Sequence, residues 1–382
     1  VVGSAIVIGG GLAGGAVATR LARAGHGVTV LERETGPHEK VCGEFLSVEA
    51  CEDLASLGLP PERLGGVPID RVRVHRGRHT VEARLPFLAH GLSRRVLDEA
   101  LLETAADAGA EVVRGVRVTG IQGYTVLASD QNRESNAILL ATGKHDMRAM
   151  PRAAPSTKDG YVGFKMHWRL PAPALAELDR SIDLMLLGTG YAGLQRVGAR
   201  DANLCLVVQR SQLTRVGGTW EALLADLMPQ PAFARLLGSA QPLFAKPLAI
   251  ANLPYGYVLS GEQDGPEEVW RLGDQAAMTA SLSGDGMSVA LRSARLAAQG
   301  LLQGKTATQF HRQLARHVGP QVRMAMRMQR LSERPIALAA GVLAARLWPG
   351  LLTQGAKATR LPSLGVPKAE INRWSTLSLR TH

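Results

Sequence analysis

Cysteine is scarce in this chain of 382 residues: Cys42, Cys51 and Cys205 are all there is. No two of them have metal-ligand spacing, so no metal is expected. An odd set also makes a poor disulfide framework, and a reduced, cytoplasmic setting is the expectation. Aromatic residues amount to only 4%. With no zinc-finger, helix-turn-helix or aromatic RNA-binding signature, nucleic acid is set aside as a partner. Acidic residues are in the minority, 33 against 44 basic ones, for a net charge of +11. That excess points to anionic partners: a dinucleotide's phosphates, an acidic substrate, a carrier protein or a membrane surface. Long hydrophobic runs are missing too. A membrane span needs about 18 uninterrupted apolar residues, and the longest candidate, 335–352, is broken by Arg346 and Pro349. The apolar, Gly-rich N-terminus lacks the basic start of a signal peptide. No polar low-complexity tract and no internal repeat is found.

What is present is an ordinary globular balance, 46% apolar and 20% charged, in a chain long enough for two lobes. Ser4 to Ile8 reads as a buried parallel strand, Leu12 to Ala24 as a helix closed by Gly25, and Val28 to Leu31 as a second strand ending in Glu32 and Arg33. This is a β-α-β unit in about thirty residues. Helices are expected over 48–57 and 94–108, and strands over 71–75, 80–85, 111–118 and 137–141. The Pro-, Ala- and Ser-rich stretch 151–159 resembles a crossing between domains. Strand-like runs recur at 163–170, 182–187 and 204–209, with a helical insertion over 220–237. A buried strand returns at 269–272, then a long helix from Ser288 and a helical, basic, Met-rich remainder from about Thr308.

Gly9-Gly10-Gly11-Leu12-Ala13-Gly14 fits the G-x-G-x-x-G spacing through Gly9, Gly11 and Gly14. Gly9 permits the tight turn, Gly11 lets the backbone approach a pyrophosphate, and Gly14 allows close helix–strand packing. The helix opening at Leu12 and Ala13 offers free N–H groups and the positive end of a dipole. Glu32, at the end of the second strand, suits a ribose hydroxyl pair. The same spacing recurs at Gly188, Gly190 and Gly193, but a helix does not follow. Gly198, Arg200 and Asp201 come next and another strand begins, so that copy reads as a hairpin.

A late segment distinguishes FAD from NAD. Val269 to Leu272 ends in Gly273-Asp274, and Ser283-Gly284-Asp285-Gly286-Met287 leads into a helix. Here the chain resembles the FAD-dependent superfamily of p-hydroxybenzoate hydroxylase-like monooxygenases, flavin-dependent halogenases and geranylgeranyl reductases. The resemblance implies that Asp274 bonds the ribityl chain, and that Gly284, Gly286 and Met287 place backbone N–H groups beside the flavin pyrimidine. A helix start there would stabilise negative charge on a reduced flavin. Ser93-Arg94 to Asp98 is similar to the superfamily's Arg-x-x-Leu-Asp segment, which gives Arg94 a cofactor contact. Ala141-Thr142-Gly143 resembles the Ala-x-Gly near the pyrophosphate, but the residues from Lys144 to Arg148 depart from the hydroxylases' Asp-Gly motif. Lys40-Val41-Cys42-Gly43-Glu44 resembles the Cys-Gly segment of geranylgeranyl reductases. Cys42 is then either redox-active, a pocket wall, or a small inert buried residue. Lys40 and Glu44 are candidates for contact with flavin or substrate.

The fold expected is α/β with an α+β substrate lobe. A Rossmann-like FAD-binding domain (1–73, 91–158, 265–307) carries an inserted β-rich substrate domain (74–90, 159–264) and a helical C-terminal region (308–382). The resemblance implies a monooxygenase that hydroxylates an aromatic or polyketide-like hydrophobic substrate, free or carrier-bound, through a flavin C4a-hydroperoxide, with NAD(P)H as electron donor. The alternative is an FAD-dependent reductase or dehydrogenase of C–C double bonds in a hydrophobic, isoprenoid-like substrate. The signatures that would name the reaction are altered or missing. Neither the Trp-x-Trp-x-Ile-Pro of tryptophan-type halogenases nor the Tyr-x-Trp-x-Phe-Pro of geranylgeranyl reductases is matched. Tyr191-Ala192-Gly193-Leu194-Gln195 keeps only the Tyr, which makes Tyr191 a candidate catalytic residue. His75, His79, His145 and His167 show no recognisable partner in the sequence. Arg323, Arg327, Arg330 and Arg334, interleaved with Met324, Met326 and Met328, form either a solvated helix face or a soft lid in peripheral contact with a membrane.

Overall fold

The computed structural model describes residues 3–148, 150–152, 160–261 and 269–364. Most of the expected domain crossing, residues 153–159, lies outside the described residues. So do 265–268 of the expected third FAD segment and 365–382 of the C-terminal region.

Eleven helices are described, numbered in chain order: α1 (Leu12–Arg23), α2 (Val48–Ala55), α3 (Arg94–Asp107), α4 (Ala172–Glu177), α5 (Arg210–Arg215), α6 (Trp220–Leu227), α7 (Pro231–Leu237), α8 (Gly286–Leu302), α9 (Ala307–Ser332), α10 (Pro335–Leu347) and α11 (Gly350–Ala358). The architecture is a Rossmann-like lobe, a β-rich lobe and a helical C-terminal region.

The first lobe is a five-stranded parallel sheet. Its centre is Ala5–Ile8, buried at every position. Val28–Glu32 and then Glu111–Arg114 flank it on one side, Ala137–Leu140 and then Val269–Arg271 on the other. A strand covered on both faces has no polar side to show, which is why these runs read as apolar without alternation. The Ala-rich α1 packs against α3 and α8. It ends where Gly25 takes φ +85°, a left-handed helix stop.

The second lobe is built on a nine-stranded sheet. Along its path run 241–242, Tyr161–Arg169, Asp201–Gln209, Gly190–Arg196, Ser181–Leu186, Val67–Arg76, His79–Gly91 and Phe45–Leu46, with Leu248–Ala251 also pairing Tyr161–Arg169. Only the pairing of Ser181–Leu186 with Val67–Arg76 is parallel. The period of two sorts the long central strands. Val162, Phe164, Met166 and Trp168, with Ala202, Leu204, Leu206 and Val208, pack under α6 and α7. Gly163, Cys205 and Val207, on the opposite face, line a cavity shared with the first lobe.

Two expectations shift and one holds. Residues 67–73, assigned from sequence to the first lobe, start a strand of the large sheet. The expected strand 111–118 divides into Glu111–Arg114 and Val118–Gln122. The second piece pairs with Thr125–Ala128 in a small three-stranded sheet that the sequence did not signal. The Gly188 copy of the glycine motif is the turn of the hairpin between Ser181–Leu186 and Gly190–Arg196, as its missing helix suggested.

Candidate active site

A cavity of about 780 Å³ opens between the two lobes, within the size range of cofactor and ligand pockets. Two helix N-termini face it. The N-cap of α1 is Gly11 and that of α8 is Asp285, and neither makes a side-chain cap bond. Their first N–H groups are therefore left for a ligand. Gly9, Gly11, Leu12, Ala13, Glu32, Arg33, Arg94, Ala141, Gly143, Gly273, Asp274, Gly284, Gly286 and Met287 all line the cavity, with Lys40, Cys42 and Glu44. Gly14 does not; it seats α1 on the turn. A Cβ there would stand 1.9 Å from the Gly9 carbonyl oxygen. Tyr191 is not among the lining residues either. It is buried in an apolar cluster with Tyr161 and Tyr255, and burial pushes its hydroxyl well above the usual range. The tyrosine that does line the cavity is Tyr255, whose hydroxyl hydrogen-bonds Ser281 Oγ at 2.9 Å.

The electrostatics suit a diphosphate. Asp98 is buried on α3. Its carboxylate takes Arg94 Nε at 2.7 Å and Arg94 Nη2 at 2.9 Å, and Lys40 Nζ also at 2.9 Å. Burial pushes the Asp98 carboxyl up, but Arg94 and Lys40 outweigh it and hold it below the usual carboxylate range. The two cations lean over the glycine loop: a Cβ on Gly11 would lie 3.3 Å from Lys40 Nζ and 3.4 Å from Arg94 Nη2. Lys144 adds a third cation, 3.1 Å from Asp274 Oδ2. It falls where the chain departs from the hydroxylase motif, and motif reading alone gave it no role. Glu32 braces the loop, accepting the Gly10 N–H at 2.6 Å and the Glu34 N–H at 2.9 Å. Gly43, Gly143 and Gly286 have no atom within 4 Å of an ideal Cβ. They line the cavity with bare backbone, a cradle that a side chain would fill. Uncapped N–H groups, a cation cluster and glycine walls together fit a flavin dinucleotide.

Where the cofactor end meets the large sheet, Glu44 is the hub. It is fully buried and holds φ +58°, a left-handed value that a non-glycine residue rarely adopts. Its surroundings over-determine that conformation. Its carboxylate accepts from Lys165 Nζ at 2.5 Å, His167 Nε2 at 2.7 Å and the Arg94 N–H at 2.7 Å, and its carbonyl from Gln195 Nε2 at 2.8 Å. Lys165 Nζ also reaches Glu39 Oε2 at 2.7 Å. Burial pushes the Glu44 carboxyl up, but Lys165 and His167 outweigh it and hold it low. Burial would lower the Lys165 ammonium, but Glu44 and Glu39 raise it. Glu39, Glu44 and His167 bring ligand-type atoms within 4.8 Å of one another, and Lys165 already supplies the cation between the two carboxylates. Asn203 Nδ2 completes the junction, donating to the Cys42 and Gly43 carbonyls at 2.9 and 3.0 Å.

In the sequence His167 has no recognisable partner, and Lys165, Asn203 and Gln195 belong to no motif that marks a site. Their signal was alternation: 165, 167, 195 and 203 lie on the face of the sheet opposite the α6–α7 core. A buried Lys or His on such a face needs a counter-ion.

Beyond the hub the cavity turns apolar. Val41, Val207, Leu248, Ile250, Leu253 and Met278 line it, with the Cys42 and Cys205 thiols among them. Cys42 Sγ accepts the Glu44 N–H at 3.4 Å. Burial pushes the Cys205 thiol up to about 12, so it stays protonated and inert near neutrality.

Comparison with known proteins agrees with this geometry. The model of the NAD(P)-binding Rossmann-like domain matches residues 7–39. The flavin-dependent brominase Bmp2 superposes with a TM-score of 0.76 over 99% of both chains at 15% identity. PqsL of Pseudomonas aeruginosa, described as a probable FAD-dependent monooxygenase, gives 0.69 over 89% of this chain and 99% of its own at 17% identity. The fold is that of FAD-dependent enzymes, and the sequence likeness is to flavoprotein oxidoreductases. A sequence relative, the menaquinone reductase of Mycolicibacterium smegmatis, is 26% identical over 320 residues, 78% of this chain and 76% of that protein. The chain thus has brominase and monooxygenase neighbours in structure and a reductase relative in sequence.

Proposed function

We propose that this flavoprotein is a reductase of C–C double bonds in a hydrophobic, isoprenoid-like substrate, with NAD(P)H as electron donor. The observation that carries the reading is the apolar end of the cavity. Val41, Val207, Leu248, Ile250, Leu253 and Met278 offer a lipophilic chain a wall without a charged clamp. The reductase relative, matched along most of the chain, supports the same choice.

Bound FAD supplies two-electron transfer between the nicotinamide and the substrate. The chain's own residues would do the rest. Lys40, Arg94 and Lys144, with the N–H groups opening α1, would hold the diphosphate, and Glu32 and Asp274 would take the ribose and ribityl hydroxyls. The start of α8 at Gly286 and Met287 would offer backbone N–H groups and a positive dipole end to the flavin. The Glu44–Lys165–His167 cluster fixes the 39–44 segment, so that Cys42 and Gly43 stand at a set depth in the wall. The apolar wall excludes water and orients the chain.

A second reading, hydroxylation by a monooxygenase, is favoured by the likeness to PqsL, which shows a shared fold. One experiment separates them. The purified holoenzyme is given NAD(P)H and a short isoprenoid alkene, with and without oxygen, and products are weighed by mass spectrometry. A reductase adds two hydrogens without oxygen. Oxygen-dependent incorporation of one oxygen atom would overturn the proposal in favour of the monooxygenase.

A further inference from the structure

We infer that the elbow between α10 and α11 docks on an anionic lipid surface, and that this face delivers the lipophilic substrate. The inference rests on the reductase reading for the substrate, but not for the docking itself. Among the described residues no single helix is long and apolar enough to cross a membrane. The elbow instead has the makings of an interfacial element. Along α10, Ile336, Ala340, Leu343 and Leu347 recur at helical spacing on one face, and all are exposed. Ile336 is 86%, Leu343 56% and Leu347 82% exposed. The opposite face, Leu338, Val342 and Ala345, is buried. The helix is thus apolar on both sides, and water covers the outer one at a cost. α11 then turns away by 118°. The tip of the bend is Trp348-Pro349, with Trp348 58% exposed. Tryptophan is enriched at the headgroup level of bilayers.

Charge names the occupant. From Ala307 to Arg360 the chain carries nine Arg and Lys residues and a single acid, Glu333. Arg323, Arg327, Arg330 and Arg334 are exposed along the C-terminal half of α9 and the turn into α10, and Arg346 and Lys357 are exposed on the elbow. An apolar stripe with a bulky aromatic tip, ringed by cations, is the pattern of a helix lying in an anionic lipid interface. A second copy of this chain would set the exposed Arg323, Arg327, Arg330, Arg334, Arg346 and Lys357 against the same six cations.

The helix that leads into the elbow packs against the residues that line the cavity. Ala325 and Met326 of α9 are buried in one apolar cluster with Leu253, Tyr255, Val207 and Met278, and those four line the cavity. Tyr161 ties in the end of the same helix by donating to Glu333 Oε1 at 2.6 Å. α9 thus packs behind the apolar lining of the cavity through Ala325 and Met326 and leads, at its C-terminal end, into the striped helix.

The test uses the full-length holoenzyme. It is sedimented with vesicles of phosphatidylcholine alone, and with vesicles in which about one lipid in three is phosphatidylglycerol. The wild type is expected to partition into the anionic vesicles, with binding that falls as salt rises. The double variant Leu343→Asp/Leu347→Asp should lose binding about tenfold or more. Arg330→Ser/Arg334→Ser should weaken it on anionic vesicles. Both should keep FAD content, melting temperature and turnover of a water-soluble short alkene. Failure of the wild type to bind either vesicle overturns the docking, as does equal binding by the Asp variant. A concentration-dependent dimer in sedimentation velocity that the Asp variant abolishes would assign the face to a second copy instead. Vesicle binding with no reduction of the short alkene would leave docking standing and sink the reductase reading.

Discussion

Two glycines show how much of the cofactor site is decided by single atoms. Gly14 and Gly286 look alike in a motif, yet the structure gives them opposite jobs. A Cβ on Gly14 meets backbone at 1.9 Å, whereas one on Gly286 meets nothing within 4 Å and points into the cavity space. Gly14→Ala should therefore damage the fold, by about 1–3 kcal/mol of overpacking, and take FAD content down with it. Gly286→Ala should leave the apoprotein's melting temperature within a few degrees and weaken FAD binding alone. Flavin titration and thermal melts of both apoproteins check this; unchanged FAD affinity in Gly286→Ala would count against the flavin lying over α8. Glu44 gives the second prediction. Removing its charge leaves buried Lys165 half-paired, a change of about 3–5 kcal/mol in buried pairs. The folded carboxyl titrates below its ordinary 4.5. Its stabilisation is then complete above about 4.5 and drains as pH falls through the lower folded value. Denaturant melts of Glu44→Gln should show a large deficit at pH 7 that narrows towards pH 3.

At the scale of elements, helix ends matter more than helix bodies. The start of α8 holds Asp285, buried at the N-cap without a side-chain cap bond. Arg360, from beyond α11, reaches its Oδ1 at 2.5 Å. Burial pushes this carboxyl up to about 7, and Arg360 offsets only part of that rise. The protonated form is thus favoured in the fold. Its contribution is full below the unfolded value of about 3.8 and is lost as pH climbs to about 7. Asp285→Asn should gain on the wild type in melting temperature as pH rises from 4 to 7.5, and parallel curves would refute the assignment. The same scale shows where the sequence was readable. The α1 loop and the α8 start were legible because glycine spacing and a strand–helix switch are local. The hairpin at Gly188 could be told from them by what followed it. The small sheet around Thr125–Ala128 was not legible, since its strands are short and half-exposed. Nor was the hub at Glu44, whose sheet partners Lys165, His167 and Gln195 lie more than 120 residues away and became visible only when alternate positions of the strands were placed on one face.

At the scale of the whole molecule, the two lobes are stitched through a few side chains. Gln195 holds the Glu44 carbonyl, Asn203 the Cys42 and Gly43 carbonyls, and Lys165 and His167 the Glu44 carboxylate. All come from the large sheet and all grip one segment, 42–44, of the chain that also borders the cofactor space. A ligand bound by the first lobe should therefore stabilise the second. FAD at about 100 times its dissociation constant contributes about 2.7 kcal/mol to whatever unfolds cooperatively with its site. In the wild type, FAD is expected to slow amide exchange in Tyr161–Arg169 and Asp201–Gln209 as well as in Ala5–Ile8. Gln195→Ala/Asn203→Ala removes the neutral stitches and leaves the charged hub in place. It frees three carbonyl contacts, one buried and two partly buried, each worth about 0.5–1.5 kcal/mol. In that variant the protection conferred by FAD should shrink in the large sheet while persisting in the first lobe. Equal protection of both lobes in the variant would mean that they are coupled through the packed interface, or through Lys165 and His167 alone. That outcome would relocate the junction from these amides to the ion cluster, where Glu44→Gln would then have to reproduce the uncoupling.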